Sequence, residues 1–271
     1  MNELTNRCVS SSKQAMVRRG VEAAKPEALI AEAQVECFHD REFPVSSSDT
    51  ALVLIDMQTD FLSKDGRLGK NYSDKRVKQL AATEAKVAAL LAAARRAGMT
   101  VAHSRSHRYG ADVRRDLCVP TIDPTYDFVD SCKPRPGEIV VDKWTFGAFA
   151  STDLETQLRR AGIKRILLGG ILTNVCIMAT AVQAVDRFFR VCLVEDACGA
   201  FDPAWHEYAV ELINGPQTLK ENHHDSVGLY FGEVAKLSAW RPRWGSAAGG
   251  SDRRIVGCLS SRRVRGIFVD Y

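Results

Sequence analysis

Short apolar runs separated by amphipathic stretches set the rhythm of this chain. Residues 51–55 (ALVLI) are apolar at every position and mostly branched, as in a strand buried on both faces. Further strands are expected at 100–104 (TVAHS), 138–142 (EIVVD), 165–170 (RILLGG) and 191–196 (VCLVED), with a sixth near 226–231. Between them lie segments with helical spacing. Residues 76–98 place Val77, Leu80, Val87, Leu91 and Ala94 on one face and stop at Gly98. Residues 153–162 start acidic, end basic and stop at glycine. Residues 174–189 and 203–214 complete the set, the last opened by Pro203. Strands and helices in alternation imply βαβ units. Right-handed crossovers then give a three-layer α/β/α sandwich around a mostly parallel six-stranded sheet of Rossmann-type topology.

The periodic region spans 49–238. Residues 1–48 form an N-terminal extension of mixed composition, with a helix expected over 26–37 from its Glu and Ala content. Residues 239–271 form an Arg/Gly/Ser-rich tail without a core pattern, for which disorder is expected. The connection 105–137 carries four prolines and few periodic residues, and connections of that length are usually functional.

Charge and cysteine usage narrow the classes. The formal net charge is +4, but the tail alone holds seven Arg and two Asp, so the rest of the chain is near neutral. No phosphate-binding field covers the domain, and the tail lacks aromatic interleaving, so no nucleic-acid partner is expected. No apolar run approaches the ~18 residues of a membrane span, and no membrane partner is expected. The leader has no apolar core and does not read as a secretory signal. The eight cysteines show no C-x-x-C spacing and read as reduced, as in the cytoplasm. An organelle-targeting leader is the alternative.

Ligands of an open parallel sheet bind beyond the carboxyl ends of its strands. Three such ends carry reactive side chains: Asp56 after the first strand, Lys143 after the third, and Cys176 in the turn after Gly169-Gly170. Singly they read as a turn cap, a solvated lysine and a small core residue. Together they provide a base, a cation and a nucleophile at one edge. Thr173 is a good N-cap, which sets Cys176 in a first helical turn where backbone N–H groups favour thiolate. Lys143 adds to that, Asp56 accepts the proton, and the glycine pair lets backbone amides face the site.

These segments, namely 51–62 (ALVLIDMQTDFL), 142–170, 171–187 (ILTNVCIMATAVQAVDR) and 191–209, resemble the isochorismatase-like cysteine hydrolases in order and spacing. That family includes nicotinamidases, carbamoylsarcosine amidase, ureidoacrylate amidohydrolase and biuret hydrolase. The resemblance implies a catalytic Asp56–Lys143–Cys176 triad and a cis peptide between Ile171 and Leu172. It also implies an oxyanion hole formed by the N–H groups of Leu172 and Cys176. It implies cysteine-dependent hydrolysis of a C–N bond in a small linear amide or carbamoyl compound through a thioester. No cofactor follows from it, and family members usually form dimers or tetramers. Nicotinamidases carry an Asp-x-His metal motif where this chain has Arg105 and His107, so no metal is expected here. Arg105, His107, Phe61, Trp144 and Asn174 are the expected substrate contacts, with Phe149 as either pocket wall or core. His206, His223 and His224 lack ligand-like partners and are left outside the site. The alternatives are a nicotinamidase-like enzyme and a catalytically idle scaffold protein that uses its leader and tail.

Overall fold

The computed structural model describes residues 32–37, 41–107, 126–214, 233–237 and 240–242. Six strands form a sheet that is parallel throughout: β3 (Thr50–Ile55), β4 (Thr100–Ser106), β5 (Ile139–Lys143), β6 (Arg165–Ile171), β7 (Arg190–Gly199) and β8 (Glu233–Ala235). Their order is β5-β4-β3-β6-β7-β8. The chain therefore starts in the middle, builds outward through β4 and β5, then returns to the other side of β3. The reversal between β3 and β6 opens a crevice at their carboxyl ends. The sixth strand lies at Glu233–Ala235, while the expected 226–231 falls outside the described residues.

All six residues of β3 are buried, as its unbroken apolar run requires. Alternation then sorts its side chains between two cores. Leu52 and Leu54 meet Leu80, Val87, Leu90, Leu91 and Ala94 of helix α2 (Asp74–Arg96). Ala51, Val53 and Ile55 face Leu154 and Leu158 of α3 (Leu154–Arg160) and Ala181 and Ala184 of α4 (Met178–Val185). Val210 and Ile213 of α5 (Pro203–Asn214) join that second core. Helix α2 is capped by the Ser73 side chain, which accepts from the Arg76 amide, and ends at Gly98 with φ +65°. A short helix, α1 (Thr59–Leu62), follows the first strand.

The expected helix over 26–37 is not present where the chain is described. Glu32–Cys37 is a strand, β1, paired antiparallel with β2 (Arg41–Ser46). Glu and Ala favour helix, but burial here has period two: Val35 and Cys37 point inward while Glu32 and Glu36 are exposed. Val35, Cys37, Phe43 and Val45 belong to the α2-side core. The other edge of β1 takes β9 (Trp240–Pro242), within the segment expected to be a tail. The rest of both flanks lies outside the described residues.

A charged cluster locks the neighbouring strands. Arg95 of α2 makes a two-pronged pair with Glu138, just before β5, at 2.7 and 2.8 Å. Buried His103 of β4 joins it at 2.9 Å. Burial works to raise the Glu138 carboxyl, but bonds from Arg95, the Arg135 amide and His103 outweigh it and hold the group at about 2. Because the folded value lies below 4.5, its contribution is complete above that pH and fades as pH falls toward 2. Glu138→Gln is expected to cost on the order of 2–3 kcal/mol in urea unfolding at pH 7. The gap to wild type should narrow steadily at pH 4 and below. A gap independent of pH would contradict the assignment.

Candidate active site

The site begins with a backbone that an acidic residue tolerates. Asp56, directly after β3, has φ +52°, a region where Asp and Asn are enriched because their short side chains bond locally. Its amide donates to the Ser104 carbonyl at 3.2 Å. Its carboxylate accepts from the Ser104 hydroxyl at 2.7 Å through Oδ1 and pairs with Lys143 Nζ at 2.9 Å through Oδ2. Lys143, the last residue of β5, lies level with Ser106, the last residue of β4. The Lys143 and Asp56 side chains are both essentially buried, at 0% and 1% exposure. The ammonium also donates to the carbonyls of Thr145 and Phe146 at 3.2 and 3.0 Å. Burial alone would lower its pKa; Asp56 and Cys176 reverse that and raise it, so Lys143 stays protonated.

Cys176 approaches from the other side, in a π-wound turn (Thr173–Ile177) that links β6 to α4. Gly170 makes this approach possible. Its φ is +120°, and a Cβ there would sit 2.2 Å from the Ile55 carbonyl oxygen. Only glycine lets β6 press against β3 beside Asp56. The next peptide bond, Ile171–Leu172, is cis. The Leu172 carbonyl then takes the amides of Val175 and Ile177, both at 3.1 Å. The Thr180 hydroxyl donates to the Cys176 carbonyl at 2.6 Å and accepts from the Ala148 amide at 3.1 Å. That relay fastens the Cys176 turn to the loop whose carbonyls hold Lys143. The thiol is buried, and Asp56 and Lys143 are the charged groups that act on it.

Two expectations about this turn need correction. The thiol is not poised as thiolate. Burial and the Asp56 carboxylate push it up to about 12, and Lys143 offsets only part of this. Nor does Thr173 cap its own turn. No side chain caps it, and the Thr173 hydroxyl instead lies 2.8 Å from His206 Nδ1 on α5.

The other expected contacts disperse. Arg105 and His107 are both drawn to Asp142, with Nε and Nε2 respectively 2.6 Å from Oδ1. Asp142, their shared partner, directly precedes Lys143. The His107 ring stacks on Trp144 at 5.5 Å and tilts against Tyr126 at 5.2 Å. Phe61 is a core residue on the α2 side, and Phe149 packs on Phe189 in the second core. Asn174 is half-buried, and its Oδ1 is shielded without a hydrogen-bond partner. Residues 108–125 and His223-His224 lie outside the described residues. Among the described residues no group of three or more His, Cys, Asp or Glu is placed to hold a metal ion.

Sequence reasoning passed over Ser104 and Gln58. Ser104 ends the predicted second strand and would have been found by the same strand-end rule. Gln58 uses both ends of its amide on the Ser106 backbone, accepting from N at 2.7 Å and donating to O at 3.2 Å. It thereby extends the ladder beyond β3 and steadies the segment after Asp56.

Residues 50–221 match the family model described as the isochorismatase domain. A ureidoacrylate amidohydrolase from Pantoea ananatis is 28% identical over 79% of this chain and 94% of its own length. The solved structure of a cysteine hydrolase from Pseudomonas syringae pv. phaseolicola shares 25% identity, with a TM-score of 0.57 over 72% of this chain and 92% of that one. A nicotinamidase structure from Bacillus subtilis is 26% identical, with a TM-score of 0.52 over 61% and 94%.

The protonation state can be measured directly. The difference in thiolate ultraviolet absorbance between wild type and Cys176→Ser is expected to stay flat from about pH 6 to 9. In Asp56→Asn the carboxylate repulsion is gone while Lys143 remains, so the midpoint should fall. A wild-type step near neutrality would show the thiol to be ionised at rest.

Proposed function

The chain belongs to the isochorismatase family, and on that premise we propose that it is an amidohydrolase of carbon–nitrogen bonds other than peptide bonds. Its substrate in this reading is a small linear amide or carbamoyl compound, and Cys176 is the nucleophile. The observation that carries the reading is the buried Asp56–Lys143 pair acting electrostatically on a buried thiol. Packing has no need of an acid, an amine and a thiol sharing one dry pocket at the switch point of a sheet. The similarity to a ureidoacrylate amidohydrolase along nearly its whole length supports the same reaction class.

The chemistry follows from charges already in place. With the thiol near 12 at rest, its proton leaves as the sulfur attacks rather than before. Asp56 takes that proton, and the Cys176–carbonyl carbon bond forms. The carbonyl oxygen becomes an oxyanion, held by the N–H groups of Leu172 and Cys176. Asp56 returns the proton to the departing nitrogen, the C–N bond breaks, and a thioester remains. Water then gives a proton to Asp56 and its oxygen to the carbonyl carbon. The thiolate leaves and is reprotonated. Lys143 keeps its charge throughout. Its role is to hold the carboxylate and balance the negative charge that passes between oxygen and sulfur. Ser104 orients the carboxylate from the far oxygen.

Ammonia release from biuret, N-carbamoylsarcosine, ureidoacrylate and nicotinamide tests the reading. Turnover of a carbamoyl member is expected, with Cys176→Ala and Asp56→Asn each lower by on the order of 10³-fold or more. Turnover confined to nicotinamide would reassign the substrate class. Turnover that survives Cys176→Ala would remove the thioester.

A further inference from the structure

Helix α5 has an ordinary inner face and an unusual outer one. Ala209, Val210, Ile213 and Asn214 are buried, and Val210 and Ile213 share a core with Cys176 and Ile177. The outer face carries Trp205 and Tyr208, which are 56% and 63% exposed. Spacings of three and four set Trp205, Tyr208 and the half-buried Leu212 in one stripe. Beside it runs a second stripe, the exposed Glu207 and Glu211. The helix has no lysine or arginine, and among the described residues neither glutamate has an ion-pair partner. Two aromatic rings left in water beside two uncompensated carboxylates suit a cation with a flat, weakly hydrated head. Arginine is that cation, since it stacks on aromatic faces and pairs with carboxylates.

The chain carries such a partner. Residues 253–265 (RRIVGCLSSRRVR) hold five arginines and no acidic residue, with Ile255, Val256, Leu259 and Val264 among them. They lie outside the described residues, but the chain leaves those residues near α5. Pro242 ends β9, which pairs with β1. Strand β1 shares the first core with Ala235 of β8, and α5 shares the second core with Val234 of the same strand. Because β8 is the edge of the main sheet, the path from β9 to α5 rounds one edge and crosses two layers of about 10 Å each. The chain from Pro242 to Arg253 spans up to about 36–40 Å when extended, which is ample. A second copy of the chain suits this face less well, because two such helices would set glutamate against glutamate.

We propose that the outer face of α5, formed by Trp205, Tyr208, Glu207 and Glu211, is the docking surface for this chain's own arginine-rich segment, residues 253–265. Guanidinium groups lie over the two rings and against the two carboxylates, and the apolar residues between them cover the remaining ring surface. The inner face of the same helix seats the Cys176 turn, so the docked segment braces that turn from behind. The inference does not depend on the reaction assigned above.

Photo-crosslinking in the full chain tests it. The probe p-benzoylphenylalanine replaces Tyr208, an exposed aromatic, and the joined peptides are identified by mass spectrometry from the single-chain band of a denaturing gel. The expected product joins position 208 to residues 253–265. Its yield should fall about threefold or more in 1 M NaCl, where the Debye length shrinks to ~3 Å, and likewise in Glu207→Gln/Glu211→Gln. The variant with Arg253→Ser, Arg254→Ser, Arg262→Ser, Arg263→Ser and Arg265→Ser should lose it. A product only between two chains would assign the face to a second copy. A product with another segment, or none, would remove 253–265 from α5. A yield indifferent to salt and to both sets of substitutions would leave the charges without a role. Each of these overturns the proposal. Amide hydrogen exchange gives a readout without the probe: residues 203–214 should exchange about threefold or more faster in the five-arginine variant than in wild type. Equal exchange would also overturn it.

Discussion

One buried ion pair organises this molecule. Asp56 and Lys143 face each other at 2.9 Å with almost no exposure, and neither could be buried without the other. The cost of drying two charges is met by a full set of polar neighbours: the Ser104 hydroxyl on one carboxylate oxygen, and the Thr145 and Phe146 carbonyls on the ammonium. Together with the pair itself, these groups come from three strand ends and one loop. The pair thus depends on the register of β3, β4 and β5, and that register is enforced by the apolar cores above and below the sheet. A slip of one residue would turn Ser104 and Lys143 to the opposite face.

The same pair explains why the thiol rests protonated. A carboxylate close enough to remove a proton is also close enough to oppose its loss. Lys143 moderates that opposition without cancelling it. In the reaction proposed above, such a site would carry little free thiolate between turnovers and would generate the nucleophile only when an electrophilic carbon and an oxyanion cradle are present to accept the charge. Reactivity toward adventitious electrophiles is correspondingly suppressed.

Much of this was legible in the chain. The apolar run of β3, the glycine after α2 and the alternation of strands with helices fixed the layers, because a strand buried on both faces leaves no polar positions to misread. The three reactive residues were legible for a related reason: polar side chains at the ends of such strands have few structural excuses. What stayed hidden depended on partners distant in sequence. The strand at Glu32–Cys37 has helix-forming composition and becomes a strand only by pairing with β2 and β9. Arg105 and His107 share Asp142 as a partner, which neither spacing nor composition could announce. The Thr173 hydroxyl left its own turn for a histidine 33 residues away. The thiol's protonation was misjudged because burial, absent from a sequence, outweighs the nearby cation.

The small sheet β2-β1-β9 has a consequence for how the protein is made. Its central strand is among the first segments of the described chain to be synthesised, and one of its two partners is among the last, with Val35 opposite Trp240. A chain emerging from the ribosome can pair β1 with β2 at once and lay β3 through β8 in order. The free edge of β1 must then stay unpaired until about 200 further residues have been added. During that interval the nascent protein exposes a strand edge beside an otherwise complete domain. That edge can close only after every strand of the main sheet has been made.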